Sequence, residues 1–293
     1  MKKKHLILLF GCALLSSCSS FYQLLNISPS SKLKAISYSN DAPNPLYEFY
    51  YSDTLGNEYL RELKKQYNLG SLVNEEKNDI GKIKNILDWT SKQWKHNGSN
   101  TPTKQDALTI LKEAHEGKQF RCVEYGIVTT AALNSIGITA RTLGLKTRDV
   151  EKVMSGAGHV VTEVYSRDLD KWIFLDPQFN IIPTLNGSPL NGVEFQNAIY
   201  NKNVNLKLIN KQGELSKKDS ERYIKWVGKY LFYFDVLFDQ KTLNATKFKS
   251  INGMTKLTLV PIGHKEPRIF QRHSKIDYSY YTNSLNDFYR KPN

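Results

Sequence analysis

The chain has 293 residues, 40% of them hydrophobic and 24% charged, enough for one large domain or a core domain with a smaller companion. Its formal net charge is +13, but the basic residues are scattered in short clusters such as Lys64-Lys65 and Lys217-Lys218. No basic helix with interleaved stacking aromatics is present, so nucleic acid is excluded as the expected partner and a solvated basic surface remains.

The N-terminus reads as an export leader. Lys2, Lys3 and Lys4 precede an apolar stretch from Leu6 to Leu15, the length of a signal-peptide core and short of the roughly 20 residues a spanning helix needs. It ends in Leu15-Ser16-Ser17-Cys18. This resembles the lipobox of bacterial lipoproteins, which implies loss of residues 1–17, a lipid on Cys18 and attachment to the membrane of the bacterial cell envelope. An ordinary cleaved signal with a chance cysteine is the alternative. Ser19 and Ser20, rather than an acidic residue, resemble lipoproteins sent to the outer rather than the inner membrane. Residues 18–45, rich in Ser and Asn with Pro29, Pro43 and Pro45, read as a tether with little structure.

Cysteine usage follows from that leader. Of three cysteines, Cys12 leaves with the signal and Cys18 takes the lipid, so Cys122 is left without an intramolecular partner. Exported proteins usually pair their cysteines. A lone thiol is either buried and inert or chemically employed.

Glu58 to Tyr67 has helical composition, and Ile80, Ile83, Leu87 and Trp94 stand at helical spacing over 79–94. Lys95 to Thr103 is a polar loop. Thr103, with Asp106 behind it, opens a third helix that Gly117 closes. Cys122 to Ile136 reads as a buried helix ended by Gly137, and Ile138 to Leu145 as a strand. His159 to Tyr165 and Trp172 to Leu175 form two further strands across a short turn, the second running into Asp176-Pro177. A loop over 183–189 and a short helix over 193–200 follow. From about residue 205 the chain becomes aromatic-heavy between Tyr223 and Phe238, with a strand over 254–262 and a tyrosine-rich tail. Helices followed by strands describe an α+β domain. The expected division is 46–204 for the core domain and 205–293 for a C-terminal β-rich extension or small accessory domain.

Three residues form a chemical set. A cysteine nucleophile needs a base for its proton and a third group to orient that base. Cys122 heads a helix, where free N–H groups and the dipole favour a thiolate, and Arg121 adds a positive charge beside it. His159 opens a strand behind Gly156-Ala157-Gly158, whose glycines give the backbone room. Asp176 ends the neighbouring strand, so a hairpin register brings imidazole and carboxylate to one end of the sheet. The Cys122 N–H is one expected oxyanion donor, with Gln119 and Trp94 as candidate side-chain partners. Gln119 could instead cap its loop, and Trp94 could instead be core. Arg141 reads as a structural ion-pair partner. His5, His96, His115, His264 and His273 stand isolated, so no metal site is expected, and no cofactor.

The ordered elements Cys122, Gly137-Ile138-Thr139-Ala140-Arg141, His159 and Trp172-Ile173-Phe174-Leu175-Asp176-Pro177 resemble the transglutaminase-like superfamily within the papain-like cysteine enzymes. The resemblance covers roughly residues 80–182. It implies a nucleophile at a helix N-terminus packed on an antiparallel sheet, and a Cys122–His159–Asp176 triad acting on amide bonds of a peptide or protein. Val123 and Val161 replace tryptophans common in the family, and no acidic loop of calcium-ligand spacing is present, so a calcium-regulated crosslinking enzyme is not implied. Hydrolysis, as by a peptidase or amidase, is favoured over acyl transfer because water is abundant outside the cell. A non-catalytic envelope binding or assembly module on the same fold is the alternative.

Overall fold

The apolar spacing of the first half becomes four helices. In the computed structural model, which describes residues 36–52, 56–240 and 249–292, α1 (Glu58–Gln66) is capped by Asn57 and buries Leu60 and Leu63. Asn78 caps α2 (Asp79–Ser91), which buries Ile83, Ile86 and Leu87. This helix stops short of Trp94, which is nonetheless buried. α3 (Ala107–His115) starts at Asp106 rather than Thr103. The Asp106 carboxylate accepts from the Thr109 N–H at 2.9 Å, whereas the Thr103 hydroxyl pairs with Glu113. α4 (Cys122–Ser135) is buried along most of its length.

Gly137, at φ 88°, turns the chain into β1 (Ala140–Lys146). β2 (Gly158–Ser166) and β3 (Lys171–Leu175) follow as antiparallel neighbours. The expected loop over 183–189 is instead a hairpin of β4 (Ile182–Leu185) and β5 (Ser188–Pro189). Asn186 and Gly187 both take positive φ, at 52° and 82°, the twist that a two-residue hairpin turn needs. The flanking prolines had masked it. α5 (Gly192–Tyr200), β6 (Leu206–Asn210), β7 (Gly213–Glu214) and α6 (Lys217–Val227) come next. The rest comprises β8 (Tyr233–Leu237), β9 (Lys256–Leu259), β10 (Ile269–Phe270), β11 (Ser274–Lys275), β12 (Ser279–Thr282) and α7 (Leu285–Phe288).

The main sheet runs β12-β9-β8-β1-β2-β3, antiparallel except where β12 lies parallel to β9. The architecture is therefore α+β. β5-β4-β6-β7 form a smaller sheet, and β10-β11 a ribbon. Three strands of the main sheet come from beyond residue 205, with β8 pairing on β1 through Gly144 and Asp235. The C-terminal segment is thus a layer of the same unit as the helices, 36–293 clustering together.

The ordered fold also begins earlier than the expected tether allows. Ser39 bridges to Ser284, its N–H donating to the Asn283 carbonyl at 2.9 Å, and the Asn44 N–H donates to Asp287 Oδ1 at 2.7 Å. Residues 1–17, Cys18 and the remainder of the tether to residue 35 lie outside the described residues.

Alternation along the strands feeds two cores. Ala140, Val164, Ile173 and Leu175 pack with α1 to α4, while Leu143, Leu145, Val161 and Phe174 pack with α5 and α6. α4 approaches β2 closely at Gly126, where a Cβ would lie 2.9 Å from Val160 Cγ1. A glycine is what lets the helix carrying Cys122 sit this near the strand carrying His159.

Candidate active site

Cys122 is the first residue of α4 and is half-buried. Its backbone N–H lies in the turn where no intrahelical carbonyl is available, so it remains a free donor toward a developing oxyanion. The adjacent Arg121 does not present an unopposed charge. Its backbone N–H donates to Glu124 Oε2 at 3.1 Å, and its guanidinium to Glu124 Oε1 at 2.6 Å, with the Glu124 side chain fully buried. Both bonds run from Arg121 to the Glu124 carboxylate, which satisfies the Arg121 N–H at the helix start and fixes the residue before the thiol.

His159 follows the first residue of β2 and is 3% exposed. It pairs in register with Leu145 of β1. On the other side of β2, Thr162 pairs with Leu175, the last residue of β3, so Asp176 leaves the sheet at the end where His159 stands. The two meet: His159 Nε2 donates to Asp176 Oδ2 at 2.8 Å. That engagement leaves Nδ1 as the ring nitrogen for Cys122, whose side chain contributes to the shift of the imidazole. Burial pushes the imidazolium down, yet the charge and hydrogen bond of Asp176, joined by Cys122, outweigh it and raise His159 to about 9.

Asp176 is fully buried and held on both oxygens. Oδ1 accepts from the Gln178 N–H at 3.1 Å, and Oδ2 accepts from the Tyr223 hydroxyl at 2.7 Å as well as from His159. Its backbone exchanges two hydrogen bonds with Ile181, at 2.9 and 3.1 Å, which close the 177–180 loop. Asn180, at φ 55°, ties that loop to α2 through a 3.0 Å bond from its Nδ2 to Asp88 Oδ1.

Trp94 packs between rings on either side of Cys122 in the sequence, 5.6 Å from Phe120 and 4.4 Å from Tyr125. Its Nε1 is buried and has no hydrogen-bond partner among the described residues. Gln119 is exposed, and its carbonyl accepts from Asn100 Nδ2 at 2.8 Å. The room expected beside the nucleophile at Gly158 is occupied by Phe270, whose ring would lie 3.0 Å from a Cβ there.

Several neighbours were not foreseen. Trp226 stands edge-on to the His159 ring at 4.9 Å, Tyr230 lies 5.8 Å away, and Phe179 6.4 Å away at the exposed rim. The signal was present as Tyr223, Trp226 and Tyr230 at i, i+3 and i+7, one helical stripe within the aromatic run. His96, which looks isolated in the sequence, is electrostatically coupled to the site. Burial and then the charge of His159 push it below the ordinary histidine value, against Asp176 and Glu124. Among the described residues no group of three or more His, Cys, Asp or Glu is arranged to hold a metal ion, and no helix is long and apolar enough to cross a membrane.

Residues 68–177 match the model of the transglutaminase-like superfamily. The match takes in Trp94, Cys122, His159 and Asp176 and ends before α6. No curated protein matches the chain in sequence. Among solved structures, a candidate cysteine protease from Cytophaga hutchinsonii aligns at 16% identity and TM-score 0.33, covering 45% of this chain and 46% of that one. Red sea bream transglutaminase aligns at 13% identity and TM-score 0.32, covering 52% of this chain and 33% of that one. Arylamine N-acetyltransferase from Nocardia farcinica aligns at 11% identity and TM-score 0.32, covering 68% and 79%. The chain thus spans less than half the length of the first two.

Proposed function

We propose that this transglutaminase-like domain is a cysteine enzyme acting on amide bonds of peptides or proteins, with Cys122 as nucleophile, His159 as general base and acid, and Asp176 as the group that orients it. One observation carries the reading: Asp176 takes His159 Nε2 at 2.8 Å, which leaves Nδ1 to the thiol at the head of α4. A structural histidine has no need to be wedged between a carboxylate and the half-buried thiol of a free cysteine.

The steps follow from those positions. The thiol proton passes to His159 Nδ1, and Cys122 Sγ attacks the amide carbonyl carbon. The carbonyl oxygen becomes an oxyanion facing the Cys122 N–H, with the unpartnered Trp94 indole N–H as the favoured second donor over the exposed Gln119. Collapse breaks the C–N bond, and the amine leaves with the proton from His159. Water then gives a proton to His159 and attacks the thioester, releasing a carboxylic acid and restoring Cys122. Asp176 holds the ring in the required tautomer. An amine in place of water would give acyl transfer; hydrolysis is the preferred outcome. The lipobox-like Leu15-Ser16-Ser17-Cys18 supports envelope attachment through a lipid on Cys18, which brings the domain to peptide substrates there.

The test uses an electrophilic peptide probe that acylates thiols. Modification of Cys122 that vanishes in His159→Ala supports the enzyme. Equal labelling of wild type and His159→Ala sinks it and leaves a binding module on the same fold. Adding a primary amine to the acyl-enzyme, and weighing acid against amide product, separates hydrolysis from transfer.

A further inference from the structure

The segment that follows the transglutaminase-like match reaches back into the site. α6 begins at residue 217, well past 177, and its cap is independent of the sheet: Ser216 accepts from the Asp219 N–H. It sends Tyr223 inward, 4% exposed, and the phenol donates to Asp176 Oδ2 at 2.7 Å. That oxygen is the one His159 Nε2 also reaches, at 2.8 Å. One oxygen therefore serves two donors from opposite parts of the chain. Trp226, three residues further along α6, covers the imidazole edge-on at 4.9 Å, and Phe179 bridges the rings of Tyr223 and Trp226 at 5.3 and 4.7 Å.

We infer that Tyr223 is a positioning residue of the site: its hydroxyl fixes the Asp176 carboxylate and shares that oxygen's charge with His159, so that α6 completes the Cys122–His159–Asp176 set. The inference rests on the reading of Cys122 as nucleophile. Burial, with Asp176 close by, pushes the phenol well above its ordinary value, so Tyr223 is a neutral donor throughout the range in which His159 titrates.

The titratable groups facing His159 are Cys122 from α4, Asp176 beyond β3, His96 from the loop after α2, Tyr223 from α6 and Tyr230 just beyond it. Glu124 and Lys229 stand one step behind, acting on His96 and Tyr230. Among them Tyr223 alone donates to the Asp176 oxygen that His159 uses. Its hydrogen bond matters most when the imidazole is neutral and the carboxylate charge is unopposed. Removing the hydroxyl therefore favours the imidazolium, while a stronger donor favours the neutral ring.

The experiment follows the rate at which iodoacetamide modifies Cys122 in the full chain across pH, read by mass spectrometry of the Cys122 peptide so that Cys12 and Cys18 do not interfere. On the enzyme reading the wild-type profile has two midpoints, the upper one where His159 loses its proton. Tyr223→Phe raises the upper midpoint by about 0.5–1 pH unit. Site-specific 3-fluorotyrosine at position 223, a more acidic phenol of nearly the same shape, lowers it, and tests the inference even if the phenylalanine variant fails to fold. A two-midpoint wild type with neither substitution moving the upper midpoint overturns the inference and leaves the enzyme reading standing. A wild type with a single simple thiol titration overturns the enzyme reading itself, and the inference with it. A tyrosine that only fills the core would change stability and leave the midpoint in place.

Discussion

Arg141 and Glu163 face each other across β1 and β2 as register partners, both wholly buried, with a guanidinium nitrogen 2.7 Å from the carboxylate. The pair does not stand alone. Arg141 also donates to the Phe288 carbonyl at 2.9 Å and lies over the Trp172 ring at 4.2 Å, while Glu163 accepts from the Gly192 N–H and the Tyr289 hydroxyl at 3.0 and 3.1 Å. Two desolvated charges are tolerated because each is hydrogen-bonded to several elements.

Removing one partner strands the other. Arg141→Ala is expected to cost about 3–5 kcal/mol of unfolding free energy, measured in urea, whereas Arg141→Met with Glu163→Met costs markedly less because no uncompensated charge remains. Equal losses from the single and double variants would show that packing, not charge, dominates there.

His159 links stability to pH. Its folded value, about 9, lies above the ordinary 6.5, so its contribution is fully present below about pH 6.5 and is lost as pH rises through 9. The shift corresponds to at most about 3 kcal/mol. Unfolding free energy is expected to fall between these pH values, and His159→Gln to flatten that fall. An unchanged slope in the variant would assign it to other groups.

Trp94→Phe keeps a ring between Phe120 and Tyr125 but deletes the indole N–H. Acyl-enzyme formation at Cys122 is expected to slow by about 10²-fold, the usual worth of an oxyanion donor, with little change in melting temperature. Gln119→Ala is expected to leave the rate near wild type. The opposite ranking would move the role to Gln119.

Gly126→Ala places a methyl 2.9 Å from Val160 Cγ1 and 3.4 Å from the Val161 carbonyl. Overpacking of this kind costs about 1–3 kcal/mol. Because α4 must back away from β2, Cys122 labelling should slow as well. Unchanged stability together with unchanged labelling would mean the helix does not need the close approach.

Much of this was written in local sequence. Helical composition over 58–67 and helical spacing over 79–94 marked two helices, Gly137 marked the end of another, and the spacing between His159 and Asp176 implied a hairpin that brings them to one end of the sheet. What escaped depends on long-range packing. Thr103 looked like a cap until Asp106 took that place, and Arg121 looked like a bare charge until Glu124 was seen beneath it. The 183–189 hairpin hid behind its prolines. Tyr223 could not be paired with Asp176 from sequence, because 47 residues and a second small sheet separate them. His96 looked isolated for the same reason, since folding brings it under the influence of a histidine far along the chain.

The lacing of residues 39–44 to residues 283–287 has a consequence for how the protein is made. Ser39 and Asn44 bond to residues 283–287, and the Trp172 indole donates to the Arg290 carbonyl at 2.9 Å. β1, already synthesised, waits for β8 on one side, and buried Arg141 waits for Phe288. A nascent chain emerges N-terminus first, at about 5–20 residues per second, so Arg141 has Glu163 to pair with early, and the Phe288 carbonyl only after residue 288 is made. A chain stopped before Phe288 therefore leaves the buried Arg141 lacking one of its partners.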